Sequence, residues 1–191
     1  MFHPRRNDRM RVALLVVLVA AGCARRPAGS DAAPLPREQI EQNLQSQAEE
    51  VGRAVVGEDH GRLADLTHPT LVRNLGGREK YVKRLGEIAA EMKGSGFRMV
   101  AIAPTRPSAL AEAAGKWFGV VPADLDMTGP GGARAKVKSH QIGESVDGGR
   151  TWRFIDANGI GGDRRKLNLV MPDYPADLPV PVNPPPQWDR G

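Results

Sequence analysis

From residue 38 onward, apolar positions recur at helical spacing. Ile40, Leu44, Val51 and Val55 fall on one stripe among charged residues, which predicts a helix over 38–56 ended by Gly57. A short second helix is expected over 59–66, with Pro69 following a turn at His68. After Gly76 and Gly77, residues Tyr81, Leu85, Ile88 and Met92 step by four, three and four and predict a third helix, closed by Gly94, Ser95 and Gly96. Beyond Gly96 the period changes to two. Strands are expected over 97–103, stopped by Pro104 and Pro107, and over 116–121, ended near Pro122. Two more are expected over 133–146, after the turn at Gly129, Gly131 and Gly132, and over 151–156. Helices first and strands after predict an α+β fold, with N-terminal helices packed in a curved antiparallel sheet of about four strands. No internal repeat is visible.

The flanks read differently. Arg5, Arg6, Arg9 and Arg11 form a basic head before an apolar run over 12–21. That run falls short of the roughly 20 residues needed to span a bilayer, so it reads as an export leader. Ala20, Ala21 and Gly22 then lead into Cys23, the only cysteine of the chain. This resembles the lipobox of bacterial lipoproteins, with Ala20 where leucine is usual. The resemblance implies that residues 1–22 are a signal peptide cut before Cys23, whose sulfur carries a diacylglyceryl group and whose new amino terminus is acylated, for example by palmitate. One such chain anchors marginally and several anchor firmly. The mature chain is therefore expected to be exported and held at the cell membrane. If the cell has an outer membrane, Ala24 after the cysteine points there.

Residues 23–36 are small, polar or proline and are expected to be a flexible tether. One domain is expected over 37–171, followed by a proline-rich extended tail over 172–191 that holds seven of the 16 prolines. Leu178, Val180 and Val182 alternate and Trp188 follows, so this arm is able to pack back on the domain; a polyproline docking motif is the rival reading.

With Cys23 consumed, no thiol remains for a disulfide, a metal site or nucleophilic catalysis. His60, His68 and His140 are isolated in sequence, and neither a metal nor a cofactor is expected. The net charge is +5, but the leader holds four arginines against Asp8, so 23 basic and 21 acidic residues remain, about +2. No nucleic-acid partner is expected. Arg134, Lys136 and Lys138 alternate along one predicted strand. Without aromatic interleaving, that stripe reads as a solvated face or as attraction to anionic headgroups.

Several local patterns carry a second resemblance. A His68-Pro69 pair precedes a helix start at Gly76, Gly77, Arg78, Glu79 and Lys80. Val121 and Pro122 close one strand, and Thr151, Trp152, Arg153, Phe154, Ile155 and Asp156 form another. Over roughly residues 60–181 the chain is similar to secreted bacterial members of the nuclear-transport-factor-two-like (SnoaL-like, cystatin-like) cone superfamily. The resemblance implies a cone with a pocket and, as cone proteins often do, a homodimer through the sheet face. It does not imply one activity.

Ser145, Asp147, Gly149, Thr151 and Trp152 keep the spacing of an Asp box, read here as a hairpin staple. Strand alternation places Asp156 on the side of Trp152 and Phe154, toward the interior. Capping of the turn at Asn158 and Gly159 is its competing role. The leading expectation is a lipid-anchored envelope protein that binds a small apolar molecule or a protein partner, or aids assembly, without chemistry of its own. The alternative is an isomerase or hydrolase with Asp156 as base and Tyr81 or His68 as donor.

Overall fold

The computed structural model describes residues 33–189; the leader, Cys23 and the start of the tether lie outside the described residues. Helix α1 (Arg37–Val56) buries its stripe of Ile40, Leu44, Ala48 and Val51. Asp59 starts α2 (His60–Leu66) by accepting the Arg62 N–H at 2.8 Å. A third short helix, α3 (Pro69–Asn74), is absent from the sequence reading. It has Pro69 in its first turn, where a missing N–H is tolerated. Helix α4 (Arg78–Gly94) follows. Among the described residues no helix is long and apolar enough to cross a membrane.

The strands are β1 (Arg98–Pro104), β2 (Ala109–Ala113), β3 (Lys116–Thr128), β4 (Arg134–Ser145) and β5 (Arg153–Asp156). Short helices α5 (Ala157–Ile160) and α6 (Arg164–Val170) come next, and β6 (Gln187–Trp188) is last. β3 and β4 are the long central pair. β1 and β2 lie end to end along the free side of β3, and β5 and β6 lie end to end along β4. The expected helices-then-sheet order holds, with the antiparallel sheet curled into a half-barrel of six strands rather than about four.

Pro122 does not end its strand, which runs on to Thr128. Its carbonyl accepts from Thr105 N at 2.8 Å, so the side on which its own N–H is missing faces the 105–108 link between β1 and β2. No ladder partner is lost there. The two outer strands meet where the proline sits.

The sheet takes α1 closely because the register pairs Gly119 with Gly143. A Cβ on Gly119 would overlap the Leu44 side chain, and one on Gly143 would come within 3.0 Å of Trp152. Leu44 fills the hollow, and Trp152 and Phe154 pack around it in the same core.

The Asp-box hairpin between β4 and β5 is stapled as read. Asp147 accepts from Ser145 Oγ, from the N–H groups of Arg150 and Thr151, and from Thr151 Oγ1, at 2.7–3.1 Å. Burial on its own would raise this carboxyl. The Thr151, Ser145 and Arg150 donors outweigh it and hold Asp147 below the usual carboxylate range. Gly149 sits at φ +84°, and a Cβ there would stand 2.5 Å from Ile40. Gly149→Ala is therefore expected to lower stability by about 1–3 kcal/mol, read as an earlier urea midpoint at unchanged slope.

The outer face of the sheet holds a second core. Phe118, Ile142 and Ile155 pack against Ile160, Leu167, Met171, Tyr174 and Leu178, so the buried body continues past residue 171 and the tail packs back. Arg164 donates to the Pro175 carbonyl at 2.9 Å and lies over the Tyr174 ring. Farther on, Asn183 and β6 cover the edge of β4 beyond the end of β5, which shields an otherwise unpaired edge. Trp188 meets Phe97 edge-on at 5.8 Å. Two residues of the basic stripe are paired in place, Lys136 with Asp126 at 3.4 Å and Lys138 with Asp124.

Candidate functional site

Helix α4 has 17 residues and none of them is buried. Exposed ion pairs tie its two ends down, Arg78 to Asp65 at 2.8 Å and Lys93 to Glu58 at 2.6 Å. Its apolar stripe faces space that no side chain fills. A cavity of about 310 Å³ lies between α4 and the inner sheet face, walled by Val51, Leu66, Ala123, Leu125 and Phe154 among others. A second cavity of about 300 Å³ adjoins it under the C-terminal half of α4, lined by Val56, Ile88, Met92 and Phe97. The two share Val55, Leu63, Leu85 and Met99 as walls. Both have the size and lining of small-molecule sites.

The first cavity also holds a few polar groups, and each is aimed by its element. Tyr81 reaches in from the first turn of α4, Ser139 and Gln141 from β4, and Asp156 from the end of β5. Thr67 Oγ1 donates to the Leu63 carbonyl at 2.7 Å. Its one proton is thus committed, so Tyr81, whose hydroxyl stands 3.3 Å from Thr67 Oγ1, is the donor in that pair. The phenol lone pairs are left for another partner. Gln141 is 8% exposed, and its Oε1 has no hydrogen-bond partner among the described residues. Such an orphaned oxygen costs about 1–3 kcal/mol.

Asp156 makes the expected cap and also lines the cavity. Its Oδ1 accepts the Asn158 N–H at 2.7 Å and caps α5. It is exposed at the rim of the concavity, among the residues that line it. Burial raises the carboxyl above the usual range, against the weaker opposing pull of the Asn158 N–H and His140.

His68 stands elsewhere. Its backbone N–H bonds the Phe154 carbonyl at 2.8 Å, at the edge of β5, and the ring turns to the outer sheet face. There Nδ1 accepts the Thr70 N–H at 3.3 Å, which leaves the ring proton on Nε2, 3.4 Å from Glu144 Oε2. At that distance the Nε2 proton makes a long, weak contact with the carboxylate. Lys116 reaches the other Glu144 oxygen at 3.2 Å and Asp173 at 2.9 Å. Burial favours a raised Glu144 carboxyl, but His68 and Lys116 together outweigh it and hold it low. With both ring nitrogens engaged away from the cavity, His68 does not share it with Asp156; Tyr81 does, with its proton turned to Thr67.

His60 lines the second cavity, and His140 bonds Asn183 at 2.7 Å. Among the described residues no three His, Cys, Asp or Glu side chains gather as metal ligands. Gln141 was not singled out by the sequence reading; its signal is an uncharged polar side chain at an inward position of β4, between Ser139 and Gly143. Compared with known proteins, the chain matches no protein-family model, no curated protein and no solved structure.

Proposed function

We propose that this chain is a lipid-anchored cell-envelope protein, fixed through acylated Cys23, whose domain is a nuclear-transport-factor-two-like cone that holds a small, mostly apolar molecule without converting it. The anchor rests on the leader and lipobox pattern before Cys23. The binding role rests on the unfilled cavity beneath α4, apolar in its walls and furnished with Tyr81, Gln141 and Asp156. No partner surface is proposed on the outer sheet face. One half is covered by α5, α6 and the following segment, and the other carries paired charges.

The test is titration with the neutral apolar fluorophore N-phenyl-1-naphthylamine. The native chain is expected to bind it, and Ala123→Phe, which projects a ring into the cavity, to bind at least about tenfold more weakly with the fold retained. Absence of binding by the native chain would remove the proposal.

A second reading, an isomerase or hydrolase, is favoured by one observation: the raised Asp156 carboxyl shares the cavity with Tyr81. A base of this kind gains activity as pH climbs through its raised value. Asp156→Asn would then abolish turnover of a converted ligand and leave dye binding intact, whereas normal turnover dismisses Asp156 as base.

A further inference from the structure

We infer that the occupant of the cavity is a single-chain amphiphile with a hydrogen-bond-donating head of no negative charge, lying lengthwise beneath α4. This rests on the binding reading above and deepens it.

The head follows from the polar atoms. Tyr81 has given its proton to Thr67 and presents lone pairs. Gln141, in the lining of the cavity, keeps an unpartnered amide oxygen. Asp156 has one oxygen engaged by the Asn158 N–H and a second without a hydrogen bond in the structure. Three side chains from three elements thus line one cavity with acceptor oxygens, each of which a hydroxyl or an amine satisfies. A carboxylate or phosphate head would face the Asp156 carboxylate with no Lys, Arg or His in the lining to balance it.

The length follows from the walls. Each cavity alone sits at the lower end of the roughly 300–1,000 Å³ typical of ligand sites, and only Val55, Leu63, Leu85 and Met99 part them. Leu85 and Met99 are partly exposed, and a thioether repacks readily. Along α4, Tyr81 lines the first cavity and Met92 the second. They are about 16 Å apart at about 1.5 Å per residue, the reach of an alkyl chain of about twelve carbons. Entry is open because α4 is held by exposed ion pairs, which are weak ties, and buries no side chain of its own.

The experiment uses the full chain carrying Cys23→Ser, so that no attached acyl group competes. Alcohols, amines and carboxylates of 8, 10, 12 and 14 carbons displace N-phenyl-1-naphthylamine at neutral pH. Within the alcohols and the amines, affinity is expected to rise about fourfold per added methylene up to about twelve carbons. Dodecanol or dodecylamine is expected to bind at least about tenfold more tightly than dodecanoate, and the pair of arms tells a neutral head from a cationic one. Gln141→Leu and Tyr81→Phe should each shrink that preference while the length dependence persists. Leu85→Trp, at a partly exposed wall shared by both cavities, should cap the length dependence near eight carbons. Equal or tighter binding of dodecanoate, as an anionic head at Arg98 and Lys93 would give, overturns the inference. So does affinity that stops rising at eight carbons in the unmodified chain. In either case dye binding by that chain leaves the simpler binding reading standing, and its absence removes both.

Discussion

Truncating Trp152 to alanine is expected to cost about 3–5 kcal/mol, the range for deleting a large aromatic from a packed core. The indole is 0% exposed and packs in the core with Leu44 and Phe154, over the hollow at Gly143. Its Nε1–H donates to the Gly149 carbonyl at 3.2 Å, and its backbone N–H donates to Gln47 Oε1 at 2.9 Å. One residue thus ties the Asp-box hairpin to α1. Since domains are stable by only about 5–15 kcal/mol, the variant should lose much of its margin. Chemical denaturation should show a far earlier midpoint. Trp152→Phe should recover part of the loss, because one ring returns while the Gly149 bond and the volume of the second ring stay missing.

Replacing His68 by alanine is expected to cost about 1–3 kcal/mol at neutral pH, the range for leaving a buried polar atom, here Glu144 Oε2, without the N–H that faces it. Glu144 is 6% exposed, and its Oε2 faces only the imidazole. Its counter-charge is Lys116, which Asp173 shares. The pH dependence has a definite sign. In the native chain the Glu144 carboxyl is lowered, so its contribution is present above its unfolded value of about 4.3 and is lost as pH falls through the folded value. In the variant the lowering from His68 is gone and only that from Lys116 opposes burial, so less of the stability gained above about 4.3 remains. The difference between native and variant should therefore shrink toward pH 4. A cost that is constant from pH 4 to pH 8 would contradict the charge argument and leave only lost packing and the lost Thr70 cap.

The parts of the fold legible in sequence are those in which local pattern and tertiary demand agree. The stripe from Ile40 to Val51 buries as its period requires, and the change of period after Gly96 marks the real change from helix to sheet. β2 was missed because Ala109, Leu110, Ala111, Glu112 and Ala113 are helix formers. What makes them a strand is pairing with β3 across the turn at Ala114 and Gly115. The extent of β3 was missed because a proline ends a strand only where its N–H is needed, and which flank lacks a partner is a tertiary fact. In the site, period two carried Asp156 to the inner face and period 3.6 carried Tyr81 to the same cavity. His68 misled, since its chain direction turns at Pro69 and no periodicity governs the ring. Gln141 was hidden by the more conspicuous basic residues on the other face of the same strand.

Occupancy of the space beneath α4 is tested most directly by mass spectrometry of the organic extract of the full-length chain, purified from the membranes of cells that make it, beside Ala123→Phe prepared identically. The expected result is a single alkyl-bearing species with a hydroxyl or amine head, near one per native chain and depleted in the variant. Equal amounts of every extracted species from the two proteins would contradict a ligand held in that cavity.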